Sequence, residues 1–154
     1  MLILSYLSFV AFVTGSPWLA VVGLCMVASL IVFVYYNWYP AKVFPGDILT
    51  YAVGAVIAGM AILGNFEKIA IIVFIPFIIE AILKAGRGKL KKYSFGKPAK
   101  DGSLKLTYDK VYGMTHFSIW FLQKYKKKVT EKDVVYFIYS IEILCILLAT
   151  IFFL

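Results

Sequence analysis

Leu19-Ala20-Val21-Val22-Gly23-Leu24-Cys25-Met26-Val27-Ala28-Ser29-Leu30-Ile31-Val32-Phe33-Val34-Tyr35-Tyr36 runs for eighteen residues without a charged side chain. A helix of that length, rising about 1.5 Å per residue, comes close to the ~30 Å of a bilayer's hydrocarbon core. Four further apolar runs flank it, so that the set covers roughly 2–13, 19–36, 47–64, 69–84 and 133–154. The fifth run is also long enough to span. The third and fourth need their flanking residues, and the first is an incomplete span. Of the 154 residues 62% are hydrophobic and 16% charged, where a soluble domain is close to half apolar and about a quarter charged. The expected fold is an all-α integral membrane protein of about five transmembrane helices, one transmembrane domain over residues 1–154. Leu2 to Val13 lacks a basic flank and a small-residue cleavage site, so it does not read as a signal peptide.

Charge orients these spans. Of 16 Lys and Arg, 14 lie between Lys84 and Lys132, Lys42 lies in loop 37–46, and Lys68 alone falls on the other side. By the positive-inside rule, loops 37–46 and 85–132 face the cytoplasm, with the amino terminus inside and the carboxy terminus outside. Topology therefore explains the net charge of +8, and nucleic acid is not an expected partner. Thr14-Gly15-Ser16-Pro17 and Gly64-Asn65-Phe66-Glu67-Lys68 are turns, and Gly96 to Gly102 reads as a loop or hairpin turn. Small residues four apart, Gly54 with Ala58 and Ala55 with Gly59, suit close helix packing. Pro76 is expected to kink the fourth span. Cys25 and Cys145 sit in apolar runs as small hydrophobes. Glu80 lies near the cytoplasmic end of its span, and Glu142 lies deeper, where a carboxylate is costly without a partner.

The chemistry concentrates in Tyr36-Asn37-Trp38-Tyr39-Pro40-Ala41-Lys42-Val43-Phe44-Pro45-Gly46-Asp47, a short loop ending in an acid at the mouth of a helix. Taken alone, Asp47 reads as a helix cap stabilising by about 1 kcal/mol. An amide, aromatic rings, a lysine and a carboxylate together could instead hold a base edge, a stacked ring and a hard cation. The string Asn37 to Asp47 resembles the signature of the polyprenyl-phosphate N-acetylhexosamine-1-phosphate transferases. Within them it is most similar to the UDP-N-acetylglucosamine–dolichyl-phosphate N-acetylglucosaminephosphotransferase branch of eukaryotes and archaea. The stretch from Tyr51, then Gly64-Asn65-Phe66-Glu67-Lys68, and Asp101-Gly102-Ser103-Leu104 resemble the same branch.

That resemblance implies transfer of N-acetylglucosamine 1-phosphate from UDP-GlcNAc to a polyprenyl (dolichyl) phosphate. The products are polyprenyl-diphosphate-GlcNAc and UMP, in the first step of lipid-linked glycan assembly and so of protein N-glycosylation. It implies that Asp47 helps bind Mg2+ on the sugar-nucleotide pyrophosphate and is the catalytic residue, that Phe44 stacks on uracil, and that Asn37 helps place the nucleotide or sugar. A single aspartate is a reasonable protein share for magnesium, which takes one or two carboxylates plus phosphate oxygens. Arg87 and Lys89 take the two basic places of the branch's Arg-His-Arg segment, with Gly88 where the histidine stands; their plain reading is a cytoplasmic flank against anionic headgroups. His116 is the only histidine. Such a residue among aromatics is more often structural, and His116 is retained as a substrate-binding candidate.

The family has ten spans, and its amino-terminal half carries a paired-aspartate motif. This chain has no Asp-Asp pair, so it is expected to be the carboxy-terminal half of the fold, with the amino-terminal half, membrane lipid and a second copy in a homodimer as partners. The expected location is an archaeal or prokaryotic plasma membrane or the endoplasmic reticulum membrane, with the active site cytoplasmic. The alternative is a non-catalytic membrane protein whose basic loop binds anionic lipid or an acidic partner. Only the Asn37–Asp47 loop separates the two, because lipid binding has no need of Phe44 or Asp47.

Overall fold

A computed structural model describes residues 1–38, 40–86, 96–99, 102–108 and 111–154. In chain order the elements are α1 (Leu2–Val13), α2 (Pro17–Asn37), α3 (Asp47–Leu63), α4 (Glu67–Val73), α5 (Ile75–Gly86), β1 (Lys97–Pro98), β2 (Leu104–Lys105), α6 (Met114–Gln123) and α7 (Glu131–Phe153). They form two compact units: Met1–Val73 with Ile146–Leu154, and Phe74–Cys145.

In the first unit α1 packs against α2 and α3, α2 against α3, and α3 against α4. Although α1 is the short apolar run, it is the best-buried helix of the unit, with Leu4, Leu7, Val10 and Ala11 fully enclosed. α2 buries Leu19, Ala20, Gly23, Val27 and Leu30. Their spacing of three or four puts them on one stripe, and the rest of this helix turns apolar side chains outward. α2 and α7 are the two described helices long and apolar enough to cross a membrane; α1 and α3 are shorter apolar helices.

The two tight turns of this unit are built alike. After α1, Ser16 N–H donates to Ala11 O at 2.8 Å and Gly15 N–H to Phe12 O at 3.3 Å, with Gly15 at φ +85°. After α3, Phe66 N–H donates to Ala61 O at 3.0 Å and Asn65 N–H to Ile62 O at 3.3 Å, with Asn65 at φ 54°. Both are Schellman closures, in which a left-handed residue lets the chain satisfy the last carbonyls of a helix. α2 starts immediately after the first, with Ser16 before it and Pro17 at its first position, where proline's missing N–H costs nothing. The hydroxyl of Tyr6 on α1 lies 3.0 Å from Thr150 Oγ1 near the end of α7.

The expected fourth span is not one helix. It divides at Phe74 into α4 and α5, because Pro76 has no N–H to give to Ile72 and its ring crowds that carbonyl. Phe77 and Ile78 both donate to Phe74 O instead, at 3.0 Å each.

Stretch 85–132 holds more structure than a loop, and the fold is correspondingly not purely helical. β1 and β2 pair antiparallel, Lys97 opposite Lys105 and Pro98 opposite Leu104. Gly102 turns the hairpin at φ +75°. Ile119, Val129 and Val134 form a small core with Leu104, Leu106, Leu122 and Ile138 around it. Leu104 N–H donates to Val129 O at 2.7 Å, which fastens the hairpin to the segment entering α7. Glu80, the acid near the end of its apolar run, holds a helix start in place. Its carboxylate accepts the N–H of Met114, the first residue of α6, and pairs with Lys84 at 2.7 Å. A carboxylate at a helix start is favoured by the unpaired amides there. α7 opens on a capping box. Asp133 Oδ2 accepts Thr130 N–H at 2.9 Å, and Asp133 N–H donates back to Thr130 Oγ1 at 3.4 Å. Glu142, farther along α7, is buried, and its Oε1 has no hydrogen-bond partner among the described residues.

Close helix approach occurs at Gly23, away from the small-residue pairs of α3. A Cβ built on Gly23 would overlap Ser8 Oγ of α1 and stand 2.7 Å from Met60 Cε of α3. A Cβ on Gly54 or Gly59 would meet nothing within 4 Å. Gly23→Leu is therefore expected to destabilise the first unit by at least the ~1–3 kcal/mol typical of overpacking, seen as a lowered melting temperature in detergent. Gly54→Leu should leave that temperature nearly unchanged.

Candidate functional site

The loop between α2 and α3 is held at its neck from both sides. Lys42 N–H donates to Tyr36 O at 2.9 Å, and the Asn37 side-chain Nδ2 donates to Val43 O at 2.7 Å. Two bonds across six residues draw the ends of the segment 36–43 together. Asn37 is thus a brace of the loop in this conformation, with its Oδ1 and second amide hydrogen left for other contacts.

Beyond the neck the chain runs extended through Gly46, at φ −105° and ψ 178°, into α3. Asp47 is the first residue of that helix, and the cap position belongs to Gly46. Glycine makes no side-chain cap bond there, and Asp47 lies in the first turn, where the unpaired amides favour a carboxylate. The backbone carbonyl of Asp47 accepts the Thr50 hydroxyl at 3.0 Å, while its side chain is exposed and has no ion pair among the described residues. The helix start contributes amides that favour negative charge, phosphate included. Phe44 stands between neck and helix and is 77% exposed. An aromatic side chain left this open, on a loop braced by two hydrogen bonds, offers a whole face for stacking.

Beside the neck lies a cavity of about 550 Å3 lined by Tyr35, Tyr36, Trp38, Pro40 and Lys42. The rings of Tyr35 and Tyr36 meet edge to face at 5.3 Å. The sequence pattern shows aromatics and a lysine crowded here, but not that three of the aromatics and the lysine line one space with Pro40 while Phe44 stays outside its lining.

The remaining candidates are not gathered into this loop. His116 belongs to the second unit, on α6, fully buried. Its Nε2 accepts Thr107 N–H at 3.4 Å, and its ring lies edge-on to Tyr108 at 5.9 Å and tilted to Tyr112 at 6.4 Å. It has no surface open in this conformation. Arg87 and Lys89 lie outside the described residues, as do Asp101 and Asp109. No group of three or more His, Cys, Asp or Glu that could hold a metal occurs among the described residues. Asp47 fits magnesium only as a single ligand, with phosphate oxygens and water completing the shell.

The profile of glycosyl transferase family 4 matches residues 1–65. A protein of Sulfolobus acidocaldarius, provisionally named a UDP-N-acetylglucosamine–dolichyl-phosphate N-acetylglucosaminephosphotransferase, is 36% identical over 86% of this chain and 38% of its own length. The equivalent of Saccharolobus solfataricus, with the same provisional name, is 40% identical over 67% of this chain and 32% of its own length. The enzyme of that name from Dictyostelium discoideum is 47% identical over 34% of this chain and 13% of its own length. The chain thus spans less than two fifths of the length of these curated relatives. No solved structure matches it. Residues 1–65, the helices and loop that carry Asn37, Phe44 and Asp47, thus match the profile of glycosyl transferase family 4, and the chain is similar to the archaeal proteins along most of its own length.

Proposed function

We propose that this chain is the carboxy-terminal part of a ten-span membrane transferase that moves N-acetylglucosamine 1-phosphate from UDP-GlcNAc to a polyprenyl or dolichyl phosphate, releasing UMP. The reading rests on one observation above the rest: the braced loop presents an exposed aromatic residue, Phe44, and three residues later, at a helix start, an exposed carboxylate, Asp47, with no ion pair among the described residues. The names of the archaeal and Dictyostelium relatives support the substrate pair.

In this proposal Phe44 stacks on the uracil and Asn37, already fixed to Val43, sets the loop at the height of the nucleotide. Asp47 would be the residue of this chain that holds magnesium, and the first amides of α3 favour phosphate oxygens. When bound, magnesium neutralises charge developing on the leaving UMP. Arg87 and Lys89 are proposed to meet the pyrophosphate and sugar from the basic stretch after α5. The active site faces the cytoplasm, and residues outside these 154 complete it. Positioning does most of the work in such a transfer.

Asp47→Asn in the assembled enzyme should cut turnover by orders of magnitude at normal expression. Near-wild-type turnover at saturating magnesium would reject the metal role. Phe44→Ala should weaken UDP-sugar binding by about 1–3 kcal/mol, the range for base–aromatic stacking, and leave affinity for the lipid phosphate nearly unchanged; equal nucleotide affinity in both proteins would remove the stacking role. The isolated 154-residue chain should be inactive, and co-expression with the amino-terminal half of a close relative should restore transfer. Synthesis of polyprenyl-diphosphate-GlcNAc by the purified chain alone would show that it holds a whole site.

A further inference from the structure

The second unit carries a surface that the transferase reading leaves unused. One side of α6 buries His116, Ser118 and Ile119. Another is an aromatic ridge. Phe117 and Phe121 stack at 6.1 Å, and Phe121 stacks on Phe137 of α7 at 5.2 Å. The ridge continues from Phe117 to Trp120 at 6.1 Å and from Phe121 to Tyr125 at 5.2 Å. Trp120 is 46% exposed and Tyr125 74%. Lysines border it: Lys124 Nζ lies 5.5 Å from the centre of the Trp120 ring, and exposed Lys126, Lys127 and Lys128 follow. Lys126 is paired with Asp133 at 2.6 Å. Over residues 124–133, five lysines stand against Glu131 and Asp133 alone. Three residues beyond Lys128, α7 begins at Glu131 as one of the two helices able to cross a membrane.

We propose that α6 with Lys124–Lys128 is an interfacial foot, resting on the bilayer where α7 enters it and binding the phosphate headgroups of anionic phospholipids. Chain connectivity keeps Lys126–Lys128 within a few residues of the start of the span. Aromatic rings concentrate at the headgroup level, short amphipathic helices with Trp and Phe on one side and lysines beside them lie in the interface plane, and lysines next to a span gather anionic lipid. The pairing of ridge and lysines matches a surface that is apolar below and anionic above. A free phosphate ion would need only the lysines. The foot is independent of the transfer reaction and stands or falls without it.

The test uses the full chain in nanodiscs, with Trp18→Phe and Trp38→Phe so that Trp120 is the only reporter. Lipids brominated near the headgroup end of their chains should quench Trp120. Phosphatidylglycerol should be retained in preference to phosphatidylcholine, and salt should erode that preference. Replacing Lys124, Lys127 and Lys128 by Gln leaves the Lys126–Asp133 pair in place and should lower phosphatidylglycerol affinity on the order of a hundredfold. The triple Arg variant should retain binding. An unquenched, water-like Trp120 overturns the foot. Equal retention of the two lipids by the unsubstituted lysines, or a preference untouched by the Gln variant, overturns the headgroup site; inorganic phosphate competing as well as the lipid would reassign it to free anions.

Discussion

Backbone amides enclosed among apolar side chains have no water to turn to, and this requirement governs the first unit. Each peptide group must be satisfied within the chain, so the apolar runs are helices and their ends need closing. Gly15 and Asn65 supply the left-handed residue at two such ends, and the carbonyls of Ala11 and Ala61 are taken up by the next turn of chain. Pro76 breaks the same rule by withholding an N–H, and the helix divides two residues earlier, at Phe74. Where the closure works, a new helix starts within three residues of the last. Helices thrown together so tightly must then approach closely, and Gly23 is where α1 and α3 press on α2.

The loop after α2 answers the same requirement with a different result. Its neck bonds, from Lys42 to Tyr36 and from Asn37 to Val43, satisfy backbone carbonyls near the end of α2 and after the turn. They consume the polar groups best suited to closing the loop and leave Phe44 and Asp47 uncommitted. A loop that had used Asp47 as its cap would have had a more conventional helix start and no free carboxylate. Gly46 at the cap position forgoes a side-chain hydrogen bond at a cost of only about a few tenths of a kcal/mol relative to Ser or Asp there.

The second unit is organised by polar contacts at helix ends. Glu80 sets the start of α6, Thr130 and Asp133 set the start of α7, and the hairpin is tied to the approach to α7 through Leu104 and Val129. The partners Leu104 and Val129, like Glu80 and Met114, are far apart in the chain, and their contacts shape what the charge pattern alone shows as one basic stretch.

The sequence by itself determined the helical character of the apolar runs, the two long candidate spans, the turns at Gly15 and Asn65, the hairpin near Gly102 and the loop that carries Asn37, Phe44 and Asp47. Each depends on residues close together in the chain: charge-free length, a glycine or asparagine after a helix, a proline without an N–H. The motif was legible for the same reason, since its residues are contiguous. Tertiary structure alone decided that neighbouring helices close on Gly23 and leave Gly54 and Gly59 open, because that depends on Ser8 and Met60 arriving from other helices. It alone decided that Glu80 serves the start of α6 and that His116 is enclosed beside Tyr108 and Tyr112. For Gly23 and Glu80 the partner is distant in sequence, and no local pattern records which side chain will occupy the space.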